Sequence, residues 1–187
     1  MVTERRQIAF AVDVTRCINC KTCEIACQDA HRHGSRVRLR RVRTFEQGEF
    51  PALIVSNISM SCNHCEDPVC AKHCPAQAYT KREDGIVLHD ETRCIGCRYC
   101  TWLCPYGAPQ FDAESGCIRK CDLCAEELDR GGDPACISAC PTRAIEVRWL
   151  DELRDAPELT MNIRNLPAPE VTKPASRYRV RKEARND

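Results

Sequence analysis

Cysteine is the residue type whose number and spacing point to chemistry in this chain. The sequence has 17 cysteines among 187 residues, far above the usage in ordinary intracellular enzymes. Sixteen of them fall into four groups of four. Group one is Cys17, Cys20, Cys23 and Cys27; group two is Cys62, Cys65, Cys70 and Cys74; group three is Cys94, Cys97, Cys100 and Cys104; group four is Cys121, Cys124, Cys136 and Cys140.

The spacing within the groups distinguishes iron–sulfur clusters from disulfides and zinc. Groups one and three follow C-x2-C-x2-C-x3-C, the run that binds a 4Fe–4S cubane in bacterial ferredoxins. Disulfides between such close cysteines would be strained and would constrain little chain. Structural zinc normally uses two separated C-x2-C pairs, so it is the weaker alternative. Sixteen thiols predict four 4Fe–4S clusters, and with about −2 on each cluster the formal net charge of +1 becomes about −7.

The fourth cysteine of such a loop points to a neighbouring cluster, so the loops work in pairs. Two short apolar runs, Ala78–Thr80 and Ile86–Leu88, flank Glu83-Asp84-Gly85 and predict a hairpin that joins groups two and three. A strand over 144–147 beside one over 8–12 would then bring group four to group one. Spacing leaves the sequential pairing, one with two and three with four, open as well.

The sequence between the cysteine groups predicts short strands and helices that position these loops. Together they predict an α+β protein of two bacterial-ferredoxin-like modules. Residues 1–36 and 105–156 form one module; residues 37–104 form the other, with an inserted β-hairpin from the runs at 36–45 and 53–58. Large apolar side chains are few, so the core is thin and the metal-free chain is not expected to fold. Residues 157–187 are rich in proline and charge and predict an extended arm, disordered or laid over a partner, whose removal should leave the clusters in place.

The remaining chemical residues point to no second site. Cys117 is interpreted as a small hairpin residue, and His64 and His73 as hydrogen-bond donors near the ligands or as solvated side chains. The sequence contains no recognisable catalytic constellation and no transmembrane stretch. The Arg5-Arg6 pair fails as a twin-arginine export signal, because Asp13 and Arg16 interrupt the apolar region that would follow.

Longer stretches carry a family resemblance. ISMSCNHCEDPVCAKHCPAQA, KREDGIVLHDETRCIGCRYC and CPYGAPQF, with RCINCKTCEIAC, KCDLC and ACISACPTRAIE, resemble the four-cluster iron–sulfur subunit of molybdopterin oxidoreductases, above all the B subunits of the dimethyl sulfoxide reductase family. The resemblance covers residues 7 to 156. It implies a non-catalytic subunit in anaerobic respiration. Such a subunit relays electrons between a molybdenum or tungsten bis-pterin catalytic subunit and a membrane anchor, a quinone site or another redox protein.

The resemblance also implies the nested pairing and a ligand set for each cluster. The four sets are Cys17, Cys20, Cys23 and Cys140; Cys27, Cys121, Cys124 and Cys136; Cys62, Cys65, Cys70 and Cys104; and Cys74, Cys94, Cys97 and Cys100. The first two would face the catalytic subunit and the last two the anchor or quinone side. Some relatives have Trp at the position of Cys97 and bind a 3Fe–4S cluster there, so Cys97 predicts a full cubane.

The cellular location and the choice between two electron-transfer functions stay open at the level of sequence. Family members are exported on a partner's signal, which agrees with the missing signal here, but a cytoplasmic complex would have the same sequence. A free polyferredoxin that serves a hydrogenase or formate hydrogenlyase is the alternative function. The charged tail favours fixed docking over that alternative. The substrate of the catalytic partner is set in another chain.

Overall fold

The computed structural model describes residues 6–32, 36–164 and 166–185, so Arg5 of the arginine pair lies outside the described residues. Its strands are β1 Ile8–Asp13, β2 Arg41–Gln47, β3 Ile54–Met60, β4 Tyr79–Lys81, β5 Val87–His89, β6 Gln110–Phe111, β7 Ile118–Arg119, β8 Ile145–Trp149, β9 Leu159–Thr160 and β10 Arg177–Arg179. Its α-helices are α1 Thr22–Ala30, α2 Val69–Lys72, α3 Tyr99–Leu103, α4 Ala125–Asp129, α5 Ala135–Ser138 and α6 Leu150–Arg154. This mixture of short strands and helices confirms the α+β class. Among the residues described, no helix is long and apolar enough to cross a membrane.

The largest sheet has the strand order β8-β1-β10-β9. β1 pairs antiparallel with β8, so the predicted pairing of the first strand with the strand after group four is confirmed. β1 is buried on both faces: Ala9 and Ala11 pack with Leu150 and Leu153, whereas Phe10 faces the main core. Burial on both faces explains why the sequence of β1 is an unbroken apolar run rather than an alternating one.

The C-terminal segment belongs to this sheet, so the expectation of an extended arm is wrong. β10 lies between β1 and β9 and runs parallel to β1, with Tyr178 opposite Val12. Tyr178 is only 1% exposed, and Ala175 and Val180 are buried as well. A three-residue strand buries one or two side chains, so it leaves no detectable apolar period among the prolines and arginines around it.

Three smaller hairpins complete the strand structure. β4 and β5 pair antiparallel at the position predicted for the hairpin between groups two and three, and β6 pairs antiparallel with β7. Between groups one and two, β2 and β3 pair antiparallel with Arg41 opposite Met60 and Gln47 opposite Ile54. The division of the chain into two ferredoxin-like modules stays a prediction.

Cysteine thiols make up much of the core. The main cluster of buried side chains contains Phe10, Ile58, Leu123 and Tyr178 together with cysteines from groups one, two and four. A smaller cluster consists of Cys70, Tyr79, Val87, Cys100 and Ile118. Free cysteine packs as a small apolar residue, and the thin core expected from the composition is therefore completed by the thiols themselves.

Candidate metal centres

Two packed helix pairs bring the cysteine groups together. α1 packs against α5, and α2 packs against α3. α1 carries Cys23 and Cys27, which lie one helical turn apart on the same face. α5 carries Cys136, so this contact joins group one to group four; α2 and α3 join groups two and three in the same way.

The thiols of groups one and four are electrostatic neighbours of one another. Burial raises the pKa of the Cys17 thiol, and so do the neighbouring charges of Cys23, Cys140 and Cys20. Burial also raises the pKa of Cys27, and the neighbouring cysteines that add to this effect belong to group four: Cys121, Cys136 and Cys124. Cys140 is thus among the neighbours of group one, and Cys27 is among those of group four.

The thiols of groups two and three are neighbours in the same way. One small cavity is lined by Cys62, Cys65, Cys70 and Cys104. Burial raises the pKa of Cys65 and of Cys70 to about 12, and each also has Cys62 and Cys104 as charged neighbours. Burial raises the pKa of Cys100, with nearby Cys74, Cys94 and Cys97 adding to the effect. Cys104 therefore lines a cavity with three cysteines of group two, and Cys74 is a neighbour of group three.

Left-handed backbone residues turn main-chain N–H groups toward the thiols. His64 and Leu123 have φ of 42° and 63°, and each donates its N–H to the cysteine sulfur two residues before it, Cys62 or Cys121, at 3.4 Å. This conformation costs a non-glycine residue roughly 1 to 2 kcal/mol. The last cysteines of these groups also accept N–H bonds, from Ala78 to Cys74 at 3.4 Å and from Ala144 to Cys140 at 3.3 Å. Such bonds favour sulfur that carries negative charge.

The donor set fits an iron–sulfur cluster. All 17 cysteines are free, and burial raises the pKa of most ligand thiols with a resolved shift, so thiols without metal hold their protons. Iron would replace those protons, because a thiol that coordinates a metal is deprotonated. In the cavity lined by cysteines of groups two and three, the buried side-chain amide of Asn63 has no hydrogen-bond partner among the described residues. Its N–H groups are donors that cluster sulfur can use.

Two ligands stand out by their exposure. Cys20 and Cys97, each the second cysteine of a C-x2-C-x2-C run, are exposed, whereas the other fourteen predicted ligands are buried or half-buried. Exposed apolar side chains lie close to both in the chain. Ile18 and Ile25 flank Cys20, and Ile95 and Trp102 flank Cys97, with Trp102 85% accessible. These exposed apolar residues define two apolar surfaces, one at Cys20 and one at Cys97.

The C-terminal segment supports the loop of group two. Thr172 is buried, and its hydroxyl lies 3.2 Å from the sulfur of Cys65. The carbonyls of Thr172 and Lys173 accept N–H bonds from Asp67 and Glu66 at 3.1 and 2.8 Å. Sequence reasoning missed this contact, because it treated the segment as an arm.

The remaining predicted residues lie as follows. His64 is buried and accepts an N–H bond from Val87 at Nδ1, 3.0 Å, so the proton of the neutral ring lies on Nε2; burial and the charge of Lys120 lower its pKa. His73 is exposed at the end of α2. Cys117 lies on the approach to β7, with its sulfur 3.7 Å from the Glu91 carbonyl.

Sequence reasoning missed two cations among the thiols. Arg40 and Lys120 are 2% and 7% exposed. Neither belongs to a metal-binding motif. In a run of arginines, the sequence alone does not distinguish a buried arginine from a solvent-exposed one. A signal for Lys120 was its place directly before Cys121.

Comparison with known proteins agrees with this geometry. Residues 54–149 match the 4Fe-4S dicluster domain. The chain is 43% identical over 176 residues to the probable anaerobic dimethyl sulfoxide reductase chain YnfG of Escherichia coli K12, and 42% identical over 176 residues to the B subunit of anaerobic dimethyl sulfoxide reductase from the same organism. Both matches cover 90% of this chain and 86% of the relative. It is 39% identical over 150 residues to the thiosulfate reductase electron transfer subunit PhsB of Salmonella typhi, covering 78% of each chain. The matched domain supports 4Fe–4S clusters as the metal centres within residues 54–149 and sets the zinc alternative aside there.

Proposed function

Because this protein belongs to the iron–sulfur B-subunit family of dimethyl sulfoxide reductases, we propose that it relays electrons through four 4Fe–4S clusters. The relay connects a catalytic subunit that holds molybdenum or tungsten in a bis-pterin cofactor with a membrane anchor, a quinone or another redox partner. The chain itself supplies no catalytic site. Its chemistry is the reversible reduction of the bound clusters.

We assign four ligand sets in the nested pairing. The first-end set is Cys17, Cys20, Cys23 and Cys140; the first inner set is Cys27, Cys121, Cys124 and Cys136; the second inner set is Cys62, Cys65, Cys70 and Cys104; the second-end set is Cys74, Cys94, Cys97 and Cys100. The electrostatic neighbours of Cys17, Cys27, Cys65 and Cys100 support these sets. The packing of α1 on α5 and of α2 on α3 supports them as well.

The observation that carries the proposal is the continuity of the four sets between two exposed ends. The two inner sets meet at Lys120, whose Nζ donates to the Cys121 carbonyl at 2.6 Å and lies 3.7 Å from the sulfur of Cys62. Cys20 and Cys97 are the exposed ligands of the two end sets. Electrons can therefore enter at one surface, cross the buried interior and leave at the other.

The two apolar surfaces favour fixed partners over a free polyferredoxin. The argument for docking from a free C-terminal arm no longer holds, because that segment lies in the sheet. The exposed isoleucines and Trp102 replace it, since apolar side chains gathered around an electron exit suit a buried protein interface better than a freely diffusing carrier. We assign the surface at Cys20 to the catalytic subunit and the surface at Cys97 to the anchor or quinone side.

Anaerobic purification of the complex tests the proposed function. We expect one iron and one acid-labile sulfide for each of the sixteen ligand cysteines, and a co-purifying large subunit that contains molybdenum or tungsten. Zinc without sulfide would refute the cluster assignment. A chain that carries its clusters but purifies alone would favour the free polyferredoxin.

A further inference from the structure

Two cations are buried beside the thiols without a carboxylate partner. The Arg40 guanidinium donates to the hydroxyls of Ser59 and Ser61, both at 3.1 Å, and lies over the ring of Phe10, 4.3 Å from its centroid. Lys120 donates to the carbonyls of Val87 and Cys121. Among the described residues, no carboxylate forms an ion pair with either cation, and no other lysine or arginine is as deeply buried.

A buried charge with only neutral partners is costly and requires a counter-charge nearby. For Arg40 that counter-charge comes from cysteine. The Ser59 hydroxyl, to which Arg40 donates, lies 3.4 Å from the sulfur of Cys23. The pKa of Arg40 is raised, against the effect of burial, by negative charge on Cys136, Cys121, Cys23 and Cys27, which these cysteines would carry as cluster ligands. Cys23 belongs to the first-end set and the other three to the first inner set. The guanidinium therefore lies between the two clusters of the first pair.

Lys120 occupies the equivalent place one step further along the relay. It follows β7 and contacts the sulfur of Cys62 in the second inner set, while it donates to the carbonyl of Cys121 in the first inner set. Between the second inner set and the second-end set, the buried polar side chain is instead the neutral Tyr79, which packs with Cys70 and Cys100. The second-end set therefore has no buried cation among the described residues.

We propose, on the basis of the ligand sets in the proposed function, that Arg40 and Lys120 are fixed positive charges that raise the reduction potentials of three clusters and leave the second-end cluster outside their reach. Reduction adds one negative charge to a cluster. A nearby cation in a poorly solvated interior stabilises that added charge, and the net charge around a cluster is one of the factors that set its potential. The relay is therefore electrostatically graded, with its most easily reduced clusters in the interior and toward the first end.

Potentiometry followed by electron paramagnetic resonance on the purified holoprotein tests this grading. In Arg40→Met, we expect the reduced-to-oxidised ratio of the two first-pair clusters at a fixed potential to fall about tenfold, which is 59 mV for a one-electron couple. Lys120→Met should produce a fall in the two inner clusters. The second-end cluster, identified by the change of its signal in Cys97→Ser, should not shift in either variant.

Two further variants separate charge from structure. Arg43→Met removes the same charge from an exposed position on β2, three residues away, and should shift no potential. Arg40→Lys retains the charge without the planar fork and should restore potentials close to those of the unmodified protein. Iron and sulfide content are measured for every variant.

Each result decides the inference. If Arg40→Met and Arg43→Met give the same potentials in a protein with all its clusters, the inference is overturned and the proposed function stands. If Arg40→Met and Arg40→Lys both lose clusters, Arg40 has a structural role and the inference is again overturned. If Arg40→Met loses clusters and Arg40→Lys retains them, the potentials of Lys120→Met test the inference. A shift of potential confined to the two inner clusters supports the grading, and unchanged potentials refute it. An unmodified protein without 4Fe–4S signals would instead refute the proposed function.

Discussion

The two pairs of cysteine groups have similar ligand spacing but different surroundings. Groups one and four lie in the main core beside the four-stranded sheet, with the guanidinium of Arg40 among their thiols. Groups two and three lie around α2, α3 and the short β4–β5 hairpin, where Tyr79 takes the interior position. Ligand spacing thus specifies which cofactor is bound, whereas the side chains around the ligands decide how easily that cofactor is reduced.

The cysteine loops of groups one and three can be compared in the same way, residue by residue. Asn19 and Gly96 occupy equivalent positions in groups one and three, with φ of 60° and 65°. A Cβ on Gly96 would lie 2.4 Å from the carbonyl oxygen of Gly116, so only glycine fits there. The basic residue two positions later is anchored to the following hairpin in both loops: Lys21 donates to the Val42 carbonyl at 2.6 Å, and Arg98 lies over the ring of Phe111. Equivalent loops therefore tolerate different residues wherever their packing partners differ.

The largest expected effect comes from removal of the C-terminal segment, because both pairs depend on it. Truncation after Ala156 deletes β9 and β10, exposes the side of β1 that pairs with β10, and removes Thr172 from the loop of group two. We expect loss of clusters from both pairs and of the cooperative thermal transition. Iron content and circular dichroism measure these effects. A truncated chain that retained all its iron would restore the interpretation of the segment as an arm.

A matched pair of ligand variants separates the two ends. We expect Cys20→Ser and Cys97→Ser each to convert one cubane to a 3Fe–4S cluster and to raise its potential, because loss of one thiolate and one iron makes the centre less negative. Cys97→Ser should slow turnover driven by quinol and leave turnover with an artificial donor to the catalytic subunit nearly normal. Electron paramagnetic resonance of the oxidised variants identifies the new clusters.

The assignment of ends depends on the contrast between these two variants. Cys20→Ser should slow turnover driven by quinol as well, since that route passes every cluster, and the variants should differ in the assay with a donor that bypasses the second end. Equal loss in both assays for Cys97→Ser would contradict the placement of Cys97 at the quinone side.

A smaller effect is expected at Thr172, which contacts the second pair only. Thr172→Val removes the hydroxyl 3.2 Å from the sulfur of Cys65 while it retains the side-chain volume. We expect a lower potential for the second inner cluster and a free energy of unfolding lower by about 1 kcal/mol. Thr172→Ser retains the hydroxyl and serves as the control. A shift in a first-pair cluster would show that the two pairs are not independent.

The smallest effect on stability is expected at the exposed apolar side chains. Ile25→Ser and Trp102→Ser should change the free energy of unfolding by no more than about 0.5 kcal/mol, because both residues are exposed. The two variants should nevertheless differ in the partner that they fail to bind. Ile25→Ser should weaken assembly with the catalytic subunit, and Trp102→Ser should weaken assembly with the anchor. Phe50→Ser, at an exposed turn after β2, is the control. Quantitative co-purification measures each contact, and equal loss of both partners in one variant would contradict the separation of the two surfaces.

Much of the candidate site could be predicted from short sequence patterns. The β4–β5 hairpin and the pairing of β1 with β8 follow from turn residues and apolar runs, and both are confirmed. The sixteen proposed ligands follow from cysteine spacing. Such features depend on residues close together in the chain. A cubane accepts only a narrow range of loop geometries, so the cysteine spacing alone is informative.

The amino-acid sequence by itself determined the cofactor class, because ligand type and local spacing suffice to bind a cubane. Tertiary structure decided that α1 packs on α5, that Tyr178 and Thr172 belong to the interior, and that Arg40 is buried whereas Arg43 is exposed. The physical reason is the separation along the chain between the residues that each feature depends on. A ligand loop closes over about ten residues, whereas the position of β10 in the sheet and the field at a cluster depend on groups that are distant in sequence. Burial of a charge is a property of the packed interior, so it cannot be predicted from the local pattern of arginines.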